Sequence, residues 1–363
     1  MSGERTATVI TVQGFDLSVA RGKLQGKRVS KLDTGVLTHK GGGSIEVVGS
    51  IAYIAGGMGL RLVDVSDPTK PTKLAKVNTG VLSHAGAGTV AVHGAIAFVA
   101  GGLGLAVVDV SDPRAAKRIA KLETGVLCHN SGGHVLVNAS PAHGKGTLLY
   151  VTGGLGVAVV DANNPLKPVR LANIDTGVLS HDGAGHSALA GNYLFVAGGL
   201  GLAVLDVSDP RAPKKVASVD TTVGTHMGGN HVVLHGSLAY VAGGLGLAVI
   251  DVSDPLAPAK VGIVNTGVLA HNSGGHAYVV GVHLLVAGGL GLCILDIAEE
   301  TAAPKKLRTV DTGVFSHDGG GSVAFGMERY AFCAGGLGLA AVELFEGAWV
   351  EVEGVAVSSI EGK

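Results

Sequence analysis

The sequence predicts an all-β fold, a seven-bladed β-propeller of four-stranded blades, on three observations. One unit of about 45 residues recurs seven times along the 363-residue chain. Each copy reads as four short strands set apart by Gly- and Pro-containing turns. No run of ten or more residues has helical periodicity free of Gly pairs. Four strands per unit, repeated at a fixed period, is the pattern of a propeller blade, and seven copies fall within the usual range of about four to eight blades.

The units are marked by a loop histidine. Asp33-Thr-Gly-Val-Leu-Thr-His39 opens the first, and His84, His129, His181, His226, His271 and His317 hold the same place afterwards. The spacings are 45, 45, 52, 45, 45 and 46 residues. The long one contains a polar stretch at 138–147, NASPAHGKGT, as expected of a surface loop insertion. Within the second unit, 89–92 reads as a short apolar first strand and 95–100 as the second. Gly101-Gly102-Leu103-Gly104 is then a tight hairpin turn, where Gly tolerates positive φ. Residues 105–110 form the third strand, Ser111-Asp112-Pro113 a turn, and 117–122 a more polar fourth strand. A blade cannot bury both apolar faces alone; its neighbours cover them, and ring closure removes the need for caps.

The domain reading is an N-terminal extension over 1–25, with room for an extra strand, and a single propeller over 26–363. Two segments resemble a fourth strand that could complete the last blade: Gly26–Asp33 and Trp349–Val355. The N-terminal one is preferred as the closing strand.

Composition narrows the function. The formal net charge is −1, charged residues are 15%, and no Lys/Arg block occurs, which argues against nucleic acid or an anionic membrane surface as partner. Gly numbers 60 without a three-residue period, so collagen is excluded. Three cysteines, Cys128, Cys293 and Cys333, make no disulfide framework and read as small apolar residues. The N-terminal residues show no apolar signal segment, and a cytoplasmic location is expected. Residues 277–295 are uncharged, but a central Gly pair marks them as strands buried on both faces rather than a membrane helix.

The segment LAYVAGGLGLAVIDVSDPLAPAKV, 238–261, resembles the LVIVD repeat of β-propeller proteins. The resemblance recurs in every unit over about 39–345. It implies a propeller fold and no particular activity. A loop histidine in all seven units, and no obvious export signal, are departures from that family.

Topology puts the loop before each first strand, and the turn between second and third strands, on one rim beside the central channel. Units three to six carry a second histidine five residues on, giving the pairs His129/His134, His181/His186, His226/His231 and His271/His276. Units one, two and seven have Ser44, Thr89 and Ser322 there. These eight imidazoles are the candidate ligands of a divalent transition metal, Zn, Fe or Cu. His39, His84 and His317 are candidates for the remaining channel ring. Asp182, Asp318 and Glu46 are candidate supporting carboxylates. The competing reading is structural: loop histidines tie blades together, and each second histidine bonds a main-chain carbonyl at the start of its strand. For Asp182 and Asp318 a general base is a further alternative and capping of a loop turn is the preferred reading; Glu46 equally suits a solvated position.

Other patterns carry no chemistry. The Gly-Gly-Leu-Gly turn has no helix after it and recurs in every unit, so it is no nucleotide loop, and no nucleotide cofactor is expected. Asp64, Asp109, Asp161, Asp206, Asp251 and Asp296, with Glu343 in the seventh unit, read as acceptors for turn main chain. The function expected is a His-rich propeller that binds a metal or small ligand at one channel mouth and also serves as an interaction platform. The alternatives are a metal-dependent lyase or oxidoreductase using that mouth, and a metal-free protein scaffold.

Overall fold

The computed structural model describes residues 23–38, 43–82, 88–128, 132–139, 146–180, 185–225, 230–269, 274–299, 303–316 and 320–346. These residues form seven four-stranded antiparallel sheets arranged in a ring. Six blades use four consecutive strands; blade one is Gly43–Val48, Ile51–Gly56, Gly59–Asp64 and Thr72–Val77. The seventh takes three strands from the C-terminal end, Gly321–Gly326, Tyr330–Gly335 and Gly338–Glu346. Its fourth is the N-terminal strand Lys23–Leu32, antiparallel to Gly338–Glu346. Ring closure therefore joins the first and last described strands, with the preferred N-terminal segment as the closing strand, beginning at Lys23 rather than Gly26. Trp349–Val355 lies outside the described residues.

First strands of neighbouring blades contact one another all around the ring, so they line the channel. The apolar cores lie between blades rather than within them. One packs Tyr53, Leu60 and Leu62 of blade one against Ala97, Val99 and Val108 of blade two. The next joins Phe98, Leu105 and Val107 of blade two to Leu149, Val151 and Val160 of blade three. Second and third strands are covered on both faces, which explains their continuous apolar runs.

The turns hold the blades at a common height. In blade two, the Leu103 amide donates to the Val81 carbonyl of the incoming loop at 2.9 Å. The chain passes so closely that a Cβ on Gly101 would sit 2.5 Å from that same oxygen, so only glycine fits. The same amide-to-carbonyl bond recurs in every blade, from Met58 to Val36 through to Leu337 and Val314. Loop and turn thus share one rim. At the opposite rim, third-strand carboxylates cap the next turn. Asp64, Asp109, Asp161, Asp206, Asp251 and Asp296 each accept the amide two residues on. Glu343 instead faces Arg329, 3.6 Å away. The six third-strand aspartates are turn acceptors, as the recurrence suggested; for Glu343 that expectation is corrected to an ion pair.

No helix of the described residues is long and apolar enough to cross a membrane. Cys293 and Cys333 are buried, and burial pushes both thiols up from their ordinary range, so neither is poised as a thiolate nucleophile.

Candidate functional site

The start of each first strand carries one side chain that reaches the next blade. Ser44 Oγ accepts the Val90 amide at 3.0 Å, and Thr89 Oγ1 accepts the Val135 amide at 2.9 Å. His134 Nδ1 accepts the Ser187 amide at 3.2 Å. His276 Nδ1 accepts the Val323 amide at 3.4 Å, and Ser322 Oγ closes the circle on the Ile45 amide at 3.3 Å. At His134 and His276 the expected main-chain carbonyl partner is thus corrected to an amide, with the ring nitrogen as acceptor; the bond of His186 with the Val232 main chain has the opposite, expected sense. The physical reason is the edge position of the first strand, which leaves amides facing the channel with no strand to pair. Glu46 repeats the device one step deeper, its Oε2 accepting the Val92 amide at 2.7 Å.

Two positions in this circle differ. Among the described residues the Nδ1 atoms of His186 and His231 are buried and have no hydrogen-bond partner, although the His186 ring bonds the Val232 main chain. They are consecutive, on blades four and five.

The second histidines of blades three to six form one stack. Ring centroids are 3.6 Å apart for His134 and His186, 3.4 Å for His186 and His231, and 3.8 Å for His231 and His276. His134 and His231 are buried, while His186 and His276 are half-buried. His134 also lies 3.2 Å from Ser187 Oγ, which receives a bond from Thr152 Oγ1. Desolvation pushes all four imidazoles down, His134 and His276 to about 3. Mutual repulsion adds to this at His134, His186 and His231, while the Val232 main chain works the other way at His186. All four rings are neutral at pH 7, with lone pairs intact.

Blade five departs from its neighbours in a second way. Elsewhere a glycine precedes the ring position, and a Cβ on it would strike a loop side chain: Leu82 at Gly88, Leu269 at Gly275, Phe315 at Gly321. In blade five that loop residue is Gly224 and the glycine is replaced by Asn230. A Cβ on Gly224 would lie 3.1 Å from Asn230 Nδ2, so the amide fills the slot a leucine fills elsewhere. Asn230 is 2% exposed, and neither amide atom has a partner among the described residues. This exchange is visible in the sequence as a break in an otherwise regular pattern, yet reading histidines alone passes it over.

Among the described residues of this rim, each hairpin turn exposes one apolar side chain. Met58, Leu103, Leu155, Leu200, Leu245, Leu290 and Leu337, one per hairpin turn, are 39–55% exposed.

Of the residues expected at the site, the structure brings together His134, His186, His231 and His276. Glu46 sits on the far arc, half-buried, with burial raising its carboxyl to about 7. The loop histidines His39, His84, His129, His181, His226, His271 and His317, and the acids Asp182 and Asp318, lie outside the described residues. Among the described residues, no three His, Cys, Asp or Glu side chains are grouped so as to hold a metal ion.

Comparison with known proteins places the fold. The LVIVD repeat matches residues 42–79, 86–116, 184–221 and 229–266. No curated protein matches the chain. Among solved structures, a putative 6-phosphogluconolactonase from Bacteroides uniformis is 16% identical with a TM-score of 0.57, over 72% of this chain and 83% of that one. A periplasmic gluconolactonase from Pseudomonas aeruginosa is 14% identical with a TM-score of 0.55, over 74% and 83%. A chain of the mitotic checkpoint complex is 13% identical with a TM-score of 0.60, over 93% and 99%. At such identities the likeness is one of fold alone, and the fold hosts both enzymes and assembly partners.

Proposed function

We propose, for this ring of LVIVD repeats, that the channel mouth at the start of the first strands binds a divalent transition metal ion: Zn, Fe or Cu. The observation that carries this reading is the stack of four neutral imidazoles contributed by consecutive blades. The fold does not demand it, because a hydroxyl makes the same inter-blade bond in blades one, two and seven. Neutral imidazole is the side chain best matched to borderline divalent ions. Two of the four carry a buried nitrogen with no partner, an arrangement that normally calls for a ligand or water. The test is metal analysis of the purified chain before and after chelator, with thermal unfolding in the presence of each ion. Metal retained in stoichiometric amount, and a raised midpoint on adding it back, are expected. Absence of bound metal, together with an unmoved midpoint for all three ions, overturns the reading.

The exposed apolar rim favours a second role, a docking platform for a protein partner. Seven exposed apolar residues fixed on rigid turns suit such a surface. Serine at Leu200, Leu245 and Leu290 leaves metal uptake unchanged and abolishes docking. A partner held equally well after those substitutions overturns the platform role.

A further inference from the structure

The four imidazoles are not equivalent, and the difference lies in what each Nδ1 already does. A neutral imidazole has one N–H and one lone pair. His134 spends its Nδ1 lone pair on the Ser187 amide and His276 spends its own on the Val323 amide. Those bonds assign the ring proton to Nε2 in both, so neither nitrogen is left to bind a cation without losing a proton or a blade contact. His186 and His231 have made no such commitment. With the proton on Nε2, as in their stacked neighbours, each presents a bare buried acceptor. Bare acceptors take a cation or a hydrogen-bond donor and repel an anion.

Position supports the same pair. Their ring centroids, 3.4 Å apart, are the closest in the stack. His231 opens the first strand of blade five and His186 that of the blade before it; in blade five Gly224 and Asn230 replace the regular leucine and glycine and leave a buried amide without partners among the described residues. Ser44, Thr89, His134, His276 and Ser322 each accept an amide of the next blade, whereas Nδ1 of His186 and of His231 accepts none among the described residues, and the bond between the His186 ring and the Val232 main chain favours the protonated ring, the opposite sense.

We infer that a single divalent ion is held by the Nδ1 atoms of His186 and His231, with water completing its coordination, and that His134 and His276 are structural clamps at either end. This rests on the metal-binding reading above and names its ligands. Zn2+ serves as the probe on the full chain, with four single variants: His186→Ser, His231→Ser, His134→Ser and His276→Ser. Serine occupies this position in blades one and seven and still makes the bond, so the substitutions suit the fold. Loss of a ligand is expected to lower Zn2+ affinity on the order of 100-fold at His186 and His231. At His134 and His276 affinity changes by less than about 5-fold, while the unfolding midpoint shifts.

A second readout needs no variant. In 15N spectra of the wild-type imidazoles, Zn2+ should move two Nδ1 resonances and leave two in place. Equal loss of affinity in all four variants, or four shifted resonances, overturns this assignment and leaves metal binding standing. A wild-type chain that takes up no Zn2+, Fe2+ or Cu2+ removes the parent reading as well.

Discussion

Blades three to six and blades seven, one and two solve the same problem with different side chains. The problem is an unpaired amide on the next blade's first strand. Serine or threonine accepts it on one arc, and histidine stands in the same place on the other. A hydroxyl is small and does not titrate, so it suffices for architecture. Imidazole adds three things a hydroxyl lacks: a ring that stacks, a lone pair for metals, and a proton equilibrium near neutral pH. What exceeds the needs of the fold is therefore the choice of imidazole over hydroxyl, and it is that choice, not the fully repeated features, that points to function.

The largest expected consequence is acid sensitivity confined to the histidine arc. Folding holds His134 and His276 at about 3, and His186 and His231 well below their ordinary value of 6.5. Below pH 6.5 the unfolded chain binds protons that the native state refuses. Stability is therefore present above that pH and is lost as pH falls towards 3. Each histidine contributes at most about 1.4 kcal/mol per pH unit, so four sum to roughly 5 kcal/mol at pH 5.5. Urea unfolding of metal-free protein at pH 7.5 and 5.5 measures this. The quadruple variant His134→Ser/His186→Ser/His231→Ser/His276→Ser should lose most of the pH dependence. A wild-type midpoint that is flat between those values breaks the comparison.

Much of this was legible in the sequence, for physical reasons that also explain what was not. The fixed period, the strand-length apolar runs and the Gly and Asp-Pro turns encode local structure, and they placed the blades and the loop-bearing rim. The histidine arc was legible as a deviation from the repeat. Its partners were not, because His134 meets Ser187 53 residues away through a main-chain amide, and any residue supplies an amide. Closure was ambiguous in the letters, since Gly26–Asp33 and Trp349–Val355 are both short amphipathic runs. Only pairing with Gly338–Glu346 shows the N-terminal strand in place. Asn230 carries a signal of another kind: its paired change with Gly224 exchanges a leucine for an amide in one slot, a packing compensation rather than a pattern of ligating side chains.

Glu46 sharpens the contrast from the hydroxyl arc. It lies two residues beyond Ser44, where other blades carry Ala91, Leu136, Ala188, Val233, Tyr278 and Ala324. Burial raises its carboxyl from 4.5 to about 7, against the pull of the Val92 amide. The sign is opposite to that of the histidines. Between pH 4.5 and about 7 the native state keeps a proton that the unfolded chain gives up, so stability falls as pH rises through that window. Glu46→Gln keeps an oxygen for the Val92 amide and removes the charge. At pH 8 it should stabilise the protein by about 2 kcal/mol, the raised carboxyl converted and then discounted for partial exposure. At pH 4 it should be near neutral. Equal effects at both values would show that Glu46 is not held protonated by its surroundings.

The smallest effect separates blade five from the others by its backbone. Gly35, Gly80, Gly125, Gly177, Gly267 and Gly313 occupy one loop position with φ between 65° and 76°. Blade five has Thr222 there, at φ 60°. A β-branched residue in the left-handed region is strained by about 1 kcal/mol or more. What the strain holds in place is visible: Thr222 Oγ1 donates to the Thr221 carbonyl and accepts a bond from Lys260 Nζ at 2.9 Å. The latter is an exposed contact and contributes little. Thr222→Gly should therefore raise stability by about 1 kcal/mol, read as a higher urea midpoint with an unchanged slope. Placing threonine at Gly267 of blade six should lower it by a similar amount. If Thr222→Gly lowers the midpoint instead, the hydroxyl bonds outweigh the backbone strain, and the loop leading to Asn230 is shaped by its side chains rather than in spite of its dihedrals.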